Sequence, residues 1–363
     1  MLILKSAPSY VDDLLQKIAI IIQLDETRRE RVEKSYSSLT DLLDNALRQH
    51  EIEAYPQGSF GIGTTVKPMS QDEYDLDFVV QLNDVKTNAS IKFILDEVFR
   101  AIQGHERYRD KTELKTRCVR VTYAGDFHVD ILPAIPDPGR NSDSVLIPDR
   151  DLSRWLPSSP KGFIRWFNGR SNDRAILEKA LQAEPLPEPE RWPHKAPLKV
   201  AIQLTKRRRD VMLQGEEWKP NSILLTTLLA RSYREEISAL DALSSTLERV
   251  SSTLDVSDPE TFTVTNPTNP EEDFTDKWEN RRSCLEALSS MIGGFKYEVV
   301  DLTFMNDIEK ARDRLSAMFG ESITLRAFED QALFVNKLKE DGKFTSSLSL
   351  METQKVKPHT FYG

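Results

Sequence analysis

Two aspartates one residue apart, Asp75 and Asp77, stand in the run EYDLDFVVQL, and a third, Asp130, stands in FHVDILPA. Side chains alternate along a strand, so Asp75 and Asp77 share one face while Tyr74, Leu76, Phe78 and Val80 share the other. By the same alternation Asp130 lies with His128 and Leu132, opposite Phe127, Val129 and Ile131. If the two strands are neighbours in one sheet, three carboxylates converge. At roughly 4 Å and an effective dielectric of about 20, each pair repels by about 4 kcal/mol. Either the carboxyl pKa values rise or a divalent cation neutralises the cluster. Mg²⁺ prefers carboxylate and phosphate oxygens, and two such ions can clamp the attacking and leaving oxygens of a phosphoryl transfer. The chain carries 58 acidic residues, so the Asp-x-Asp pair alone reads as an exposed strand face. The apolar opposite face and the glycines just upstream favour a site.

Those glycines lie in QGSFGIGTT. Gly58 and Gly61 permit backbone conformations closed to other residues and let a ligand approach the main chain. Successive N–H groups in such a turn form an anion cradle, to which Ser59 and Thr64 add hydroxyl donors. The stretch fits neither a dinucleotide fingerprint nor a Walker A motif, and on its own it reads as a plain turn between strands. Further along, LKVAIQLTKRRRD places Lys199, Gln203, Lys206 and Asp210 on one helix face. A cation there can hold the outer phosphates of a nucleotide. The same face reads alternatively as solvated, and the run Lys206–Arg209 as a nucleic-acid patch.

The elements that must position these residues follow from the hydrophobic pattern. Residues 9–24 and the Val32, Tyr36, Leu39, Leu43, Leu47 series have helical spacing and form an N-terminal arm. EIEAY and EYDLDFVVQL read as strands and IKFILDEVFRAI as a helix. TRCVRVTY and FHVDILPAI form a hairpin turning near Gly125 and Asp126. From about Asp151 helical patterns dominate. The proline-rich segment 183–197 reads as a surface connection. Helices are expected over LKVAIQLTKRRRDVML, SILLTTLLARSYREEI, LDALSSTLERV, TDKWENRRSCLEALSSMI and residues 305–319, with a loop over 256–274. The expected class is α+β, a sheet domain with a helical domain appended.

Length and charge narrow the function. The 363 residues provide for two domains. Two cysteines, Cys118 and Cys284, make neither a zinc ribbon nor a disulfide framework. A net charge of −9 argues against long nucleic acid as a partner. No apolar run is long enough to span a membrane, so no membrane partner is expected. MLILKSAPSY lacks a long apolar signal region, which makes the cytoplasm the expected location.

Taken in order, GSFGIGT, DLD and HVDILPA resemble the polymerase-β-like nucleotidyltransferase signature. LKVAIQLTKRRRD followed by WKPNSILLTTLLA resembles the helical half of oligoadenylate synthase and cyclic GMP–AMP synthase. NPTNPEEDFTDKW is similar to the segment that follows in their bacterial relatives, the CD-NTases, cyclic-oligonucleotide synthases of CBASS antiphage immunity. The resemblance spans residues 57–278. It implies a nucleotidyltransferase sheet domain with its N-terminal arm over 1–160, an oligoadenylate-synthase-like helical domain over 161–345, and a tail over 346–363. It implies Asp75, Asp77 and Asp130 as carboxylates holding two Mg²⁺ ions, with Mn²⁺ as a substitute. Gly58 and Ser59 would hold the donor triphosphate, Lys206 and Ser222 its phosphates, and Lys199 would be a further nucleotide contact. The implied reaction turns NTPs, ATP among them, into a cyclic di- or trinucleotide with release of pyrophosphate. The ending HTFYG resembles tails whose last residue, here Gly363, an E1/E2-like accessory protein conjugates to a target; a regulatory protein is a further expected partner. The zinc ribbon of the animal enzyme is absent. Two alternatives stand beside this reading: a template-free transferase that modifies RNA or protein, and a catalytically silent nucleotide sensor.

Overall fold

The computed structural model describes residues 9–69, 74–125, 127–171, 195–305 and 307–340. The central strands obey the alternation of their sequence. In β2 (Tyr74–Leu82) the residues Tyr74, Leu76, Phe78 and Val80 are buried, while Asp75 is exposed and Asp77 half-buried. The strands β1 (Ile52–Pro56), β2, β5 (Phe127–Pro136), β4 (Val119–Tyr123) and β3 (Thr112–Leu114) lie side by side in that order. β2 and β5 run parallel and all the other pairs are antiparallel. The far end of β5 pairs with β6 (Val145–Asp149), which pairs with β7 (Arg154–Ser158).

One face of this sheet is closed by α2 (Glu26–Ala46) and α4 (Ile91–Gln103). Val32, Tyr36, Leu39 and Leu43 of α2 meet Leu76, Phe78, Val129 and Ile131 there, with Tyr36 edge-on to Phe78 at 5.1 Å between ring centroids. Both helices start at side-chain caps: Asp25 accepts from the Arg28 N–H and Ser90 from the Phe93 N–H. With that face filled by apolar side chains, the carboxylates of β2 and β5 are confined to the other.

A second core gathers α1 (Ser9–Ile21), α5 (Pro160–Arg170), α6 (Pro197–Met212), α7 (Ser222–Ser232), α8 (Ala239–Asp255), α9 (Arg281–Thr303) and α10 (Ile308–Phe319). The two helices of the N-terminal arm therefore part company, α2 joining the sheet and α1 the helices. α1 is also clasped by α11 (Glu321–Glu340), through the Tyr10–Phe328 ring contact and the Gln331 amide donating to Asp13.

Several expectations shift. The stretch expected as a loop over 256–274 contains a hairpin, β8 (Thr265–Asn266) and β9 (Asn269–Asp273), whose turn is closed by Asn266 accepting from the Thr268 N–H and hydroxyl. Residues 275–280 are not helical, because Asn280 caps α9 at Arg281. The helix over SILLTTLLARS ends at Ser232, where Tyr233 turns extended. Most of the proline-rich segment 183–197 lies outside the described residues, as do Asp126 of the β4–β5 turn and the tail with Gly363.

Candidate active site

The site is built on three adjacent strands. Asp77 of β2 is the register partner of Asp130 on β5, and Asp130 is the partner of Arg120 on β4. Parallel pairing of β2 with β5 thus brings Asp77 and Asp130 together, with Asp75 two residues down the same face. Asp77 borders a cavity of about 440 Å³, also lined by Gly58, Ser59, Asp75, Lys206, Arg209 and Ser222 among others. β2 supplies Asp75 and Asp77, α6 supplies Lys206 and Arg209 together with Asp210, and α7 supplies the Ser222 hydroxyl.

The glycine turn follows from β1. α3 (Gly58–Gly61) is a single turn of helix, and the Gln57 N–H donates to the Asp77 carbonyl at 2.9 Å. Gly58 has φ +59°, and a Cβ there would stand 2.8 Å from Asp77 Oδ2. The left-handed backbone favours glycine here, and any larger residue would also displace the Asp77 carboxylate. The Ser59 hydroxyl accepts from Thr65 Oγ1 at 3.3 Å and lines the cavity.

α6 carries the polar face expected of it, but that face is neither solvated nor uniform. Lys206 is 3% exposed and donates to Thr64 Oγ1 at 2.9 Å and to the Thr64 carbonyl at 3.2 Å. Burial, with the Arg209 charge beside it, pulls its ammonium down to about 7, while Asp210 and Asp77 act the other way. Gln203 donates to the Thr65 carbonyl and Arg207 to the Lys67 carbonyl, so successive side chains of α6 strap the strand of chain leaving the glycine turn. Arg208 pairs with Glu298, and Arg209 donates to the Pro220 carbonyl and to Ser222 Oγ, both at 3.1 Å. Each residue of the run Lys206–Arg209 is therefore spent on internal partners, which leaves no solvated basic patch of the kind nucleic acid would need. Lys199 departs from expectation as a nucleotide contact: it is fully buried and outside the cavity lining, its Nζ 3.4 Å from where a Cβ on Gly63 would be. It supports the turn from beneath, because α6 packs directly under it.

The carboxylates also depart from a simple trio. Arg120 donates from Nε to Asp130 Oδ1 at 2.7 Å and from Nη2 to Asp130 Oδ2 at 2.6 Å, and the same Nη2 lies 3.4 Å from Asp75 Oδ1. Among the described residues no three His, Cys, Asp or Glu side chains gather closely enough to hold a metal ion. The guanidinium fork of Arg120 occupies both oxygens of Asp130. Asp77 meanwhile has its carboxyl pushed up to about 7, first by burial and then by the charges of Asp130 and Asp75, with Arg120 and Lys206 opposing. An all-oxygen donor set, with the central carboxylate crowded by two like charges, suits a hard divalent cation once Asp130 is released. Sequence reasoning passed over Arg120 and Arg209. Arg120 had a signal, since a hairpin turning at Gly125 sets residue 120 across from residue 130; Arg209 had none beyond its place in a basic run.

A second cavity of about 450 Å³ adjoins the first. Gly58, Asp77, Asn221 and Ile223 line both, and the β8–β9 hairpin with β7 walls the far side. The hairpin is latched by Glu272, which accepts from the Ser158 hydroxyl, the Ser159 N–H and the Asn266 amide.

The family profile described as Second Messenger Oligonucleotide or Dinucleotide Synthetase domain matches residues 9–171. A c-di-GMP synthase of Roseivirga ehrenbergii is 34% identical over 376 aligned residues, covering the whole of both chains. The chain belongs to the CD-NTases. It is thus a nucleotidyltransferase of the cyclic-oligonucleotide synthase family, as the motif order implied. This CD-NTase is also similar to the cyclic dinucleotide synthase CdnG of Bradyrhizobium diazoefficiens, 25% identical over 295 residues, 74% of this chain and 70% of that one. The structure of the Bradyrhizobium diazoefficiens CD-NTase CdnG in complex with GTP matches with a TM-score of 0.71 at 23% identity, covering 88% of this chain and 98% of that one. The polymerase-β-like sheet with its appended helices is the shared fold.

Proposed function

We propose that this CD-NTase joins two molecules of GTP into a cyclic dinucleotide, cyclic di-GMP, with the help of divalent cations. The observation that carries the reading is the pair of cavities, about 440 and 450 Å³, that meet at Gly58 and Asp77. Each has the volume of a small-ligand pocket, and two nucleotides in them would flank one carboxylate. GTP is favoured over the ATP expected from family resemblance because the relative matched along its whole length is a c-di-GMP synthase and CdnG was solved with GTP.

In this reading the Gly58–Ser59 turn, Lys206 and Ser222 receive the phosphates of the donor in the first cavity. Asp75, Asp77 and Asp130 would hold Mg²⁺ or Mn²⁺, which when bound offsets the charge that gathers on the phosphoryl oxygens. The acceptor's ribose oxygen bonds to the donor's α-phosphorus as its proton passes to water, the bond from that phosphorus to the α–β bridging oxygen breaks, and pyrophosphate leaves. A second transfer in the opposite sense closes the ring. The protein's part is to hold the two reactants in line and exclude water, which is where most of the acceleration in phosphoryl transfer arises. The product would serve antiphage defence, and an E1/E2-like partner would conjugate the C-terminal Gly363.

The test is mass spectrometry of products after incubation with each NTP singly and with all four, in Mg²⁺. GTP alone should give the mass of cyclic di-GMP. A cyclic product without guanine would overturn the substrate assignment, and label transferred to added RNA or to protein would favour template-free transfer instead.

A further inference from the structure

The fork between Arg120 and Asp130 has no part in the chemistry above and stands in its way. Arg120 and Asp130 face each other across β4 and β5. The guanidinium takes both oxygens of Asp130 and reaches Asp75 with the nitrogen it shares with Oδ2. Such a two-point grip is geometrically demanding and stronger than a single ion pair. It touches the two outer carboxylates and leaves the middle one, Asp77, without a hydrogen-bonded cation.

We propose that Arg120 is a resident counter-ion of the carboxylate row, a positioning residue that holds Asp130 back from a divalent cation until the nucleotide arrives. The inference rests on the reading that these carboxylates hold metal. Its physical basis is competition. An oxygen held by the fork is turned toward β4, and a fixed positive charge a few ångströms from a divalent ion repels it. Even at the dielectric of water that repulsion is on the order of tenfold in affinity. Triphosphate bound beside Lys206 brings negative charge that compensates the incoming cation, so loading of metal and nucleotide become coupled. Without nucleotide the cation would meet only Asp75 and Asp77, and the protein would avoid holding an armed metal site in its resting state.

The test needs no turnover. The nucleotide-free full chain is titrated with Mn²⁺, and the free ion is followed by electron paramagnetic resonance. Arg120→Gln should bind Mn²⁺ about tenfold more tightly than wild type, and adding Asp130→Asn should remove the gain. Equal affinity of wild type and Arg120→Gln overturns the inference, as does a gain that survives Asp130→Asn. If Arg120→Gln lacks a cooperative thermal transition, Arg120→Lys carries the test: it keeps the charge but cannot grip both oxygens, and a rise of about threefold is expected where no rise overturns. Asp75→Asn with Asp77→Asn separates the premise from the inference. Should that variant bind Mn²⁺ as wild type does, the metal reading itself fails, whatever Arg120 does.

Discussion

Replacing Gly58 with alanine tests the turn and the carboxylate together. The position has φ +59° and a Cβ there would lie 2.8 Å from Asp77 Oδ2. The left-handed backbone costs an L-residue about 1–2 kcal/mol. The contact is shorter than such atoms tolerate, so Asp77 must retreat by a few tenths of an ångström or the turn must open. Gly125 provides the control: its φ is +74° and nothing lies within 4 Å of a Cβ built on it. Gly125→Ala therefore bears the backbone cost alone. Both variants should lose thermal stability, by roughly 2–8 °C. Only Gly58→Ala should also lose synthesis, by about tenfold or more, since misplacing a reacting group by an ångström can cost about a hundredfold. Thermal melts and initial rates of product formation from GTP read the two effects separately. Equal activity of Gly58→Ala and Gly125→Ala would refute the claim that the turn is built against Asp77.

Three further outcomes follow from named contacts. His50 sits between Asp84 at 2.9 Å and Glu97 at 3.2 Å; burial pulls its pKa down, but the bonds and charges of these two acids outweigh it and the net shift is upward. Its folded pKa being raised, its contribution is full below the unfolded pKa and disappears as pH rises through the folded one. His50→Gln should accordingly destabilise the protein more at pH 5.5 than at pH 8.5 in urea titrations, and an equal loss at both would contradict this. Asp77, with its carboxyl pushed up to about 7, has the same sign: stability it lends at low pH is lost as pH rises from about 4 to about 7. In chelator, Asp77→Asn should melt above wild type at pH 8 and lose that advantage toward pH 4, and a variant less stable at pH 8 would contradict the electrostatic account. Thr64→Val removes the hydroxyl that accepts from Lys206 at 2.9 Å inside a buried site, leaving a charged donor one partner short. It should cost about 1–3 kcal/mol of stability and raise the KM for GTP more than it lowers kcat; an unchanged KM would detach Lys206 from nucleotide binding.

The legible part of the fold was the part governed by period. YDLDF alternates, with Tyr74, Leu76 and Phe78 on one side of the strand, so that face had to be buried, and α2 and α4 bury it. The β4–β5 hairpin announced itself at Gly125. What the pattern did not carry was which strands become neighbours without a hairpin between them. β2 and β5 pair in parallel across the intervening α4, β3 and β4, so the meeting of Asp77 and Asp130 was conditional in the sequence and decided only by the sheet. β6 and β7 were hidden by Pro148 and Pro157, which lack a ladder donor and read against strand, although here both sit in paired strands. The β8–β9 hairpin was hidden likewise by Pro267 and Pro270. Lys199 shows a different limit. Spacing places Lys199, Gln203 and Lys206 on one helix face but says nothing of what packs on that face. The turn after Gly58 packs there, burying Lys199 and leaving Lys206 at the cavity wall.

The central claim is that Asp75 and Asp77, with Asp130, perform nucleotidyl transfer between the two cavities. The most direct measurement is incubation of α-labelled GTP and Mg²⁺ with wild type and with Asp75→Asn, Asp77→Asn protein of matched thermal stability, followed by phosphatase and chromatography. Wild type should give a phosphatase-resistant cyclic product and the double variant none above background. Product formed by the double variant at the wild-type rate would contradict the account.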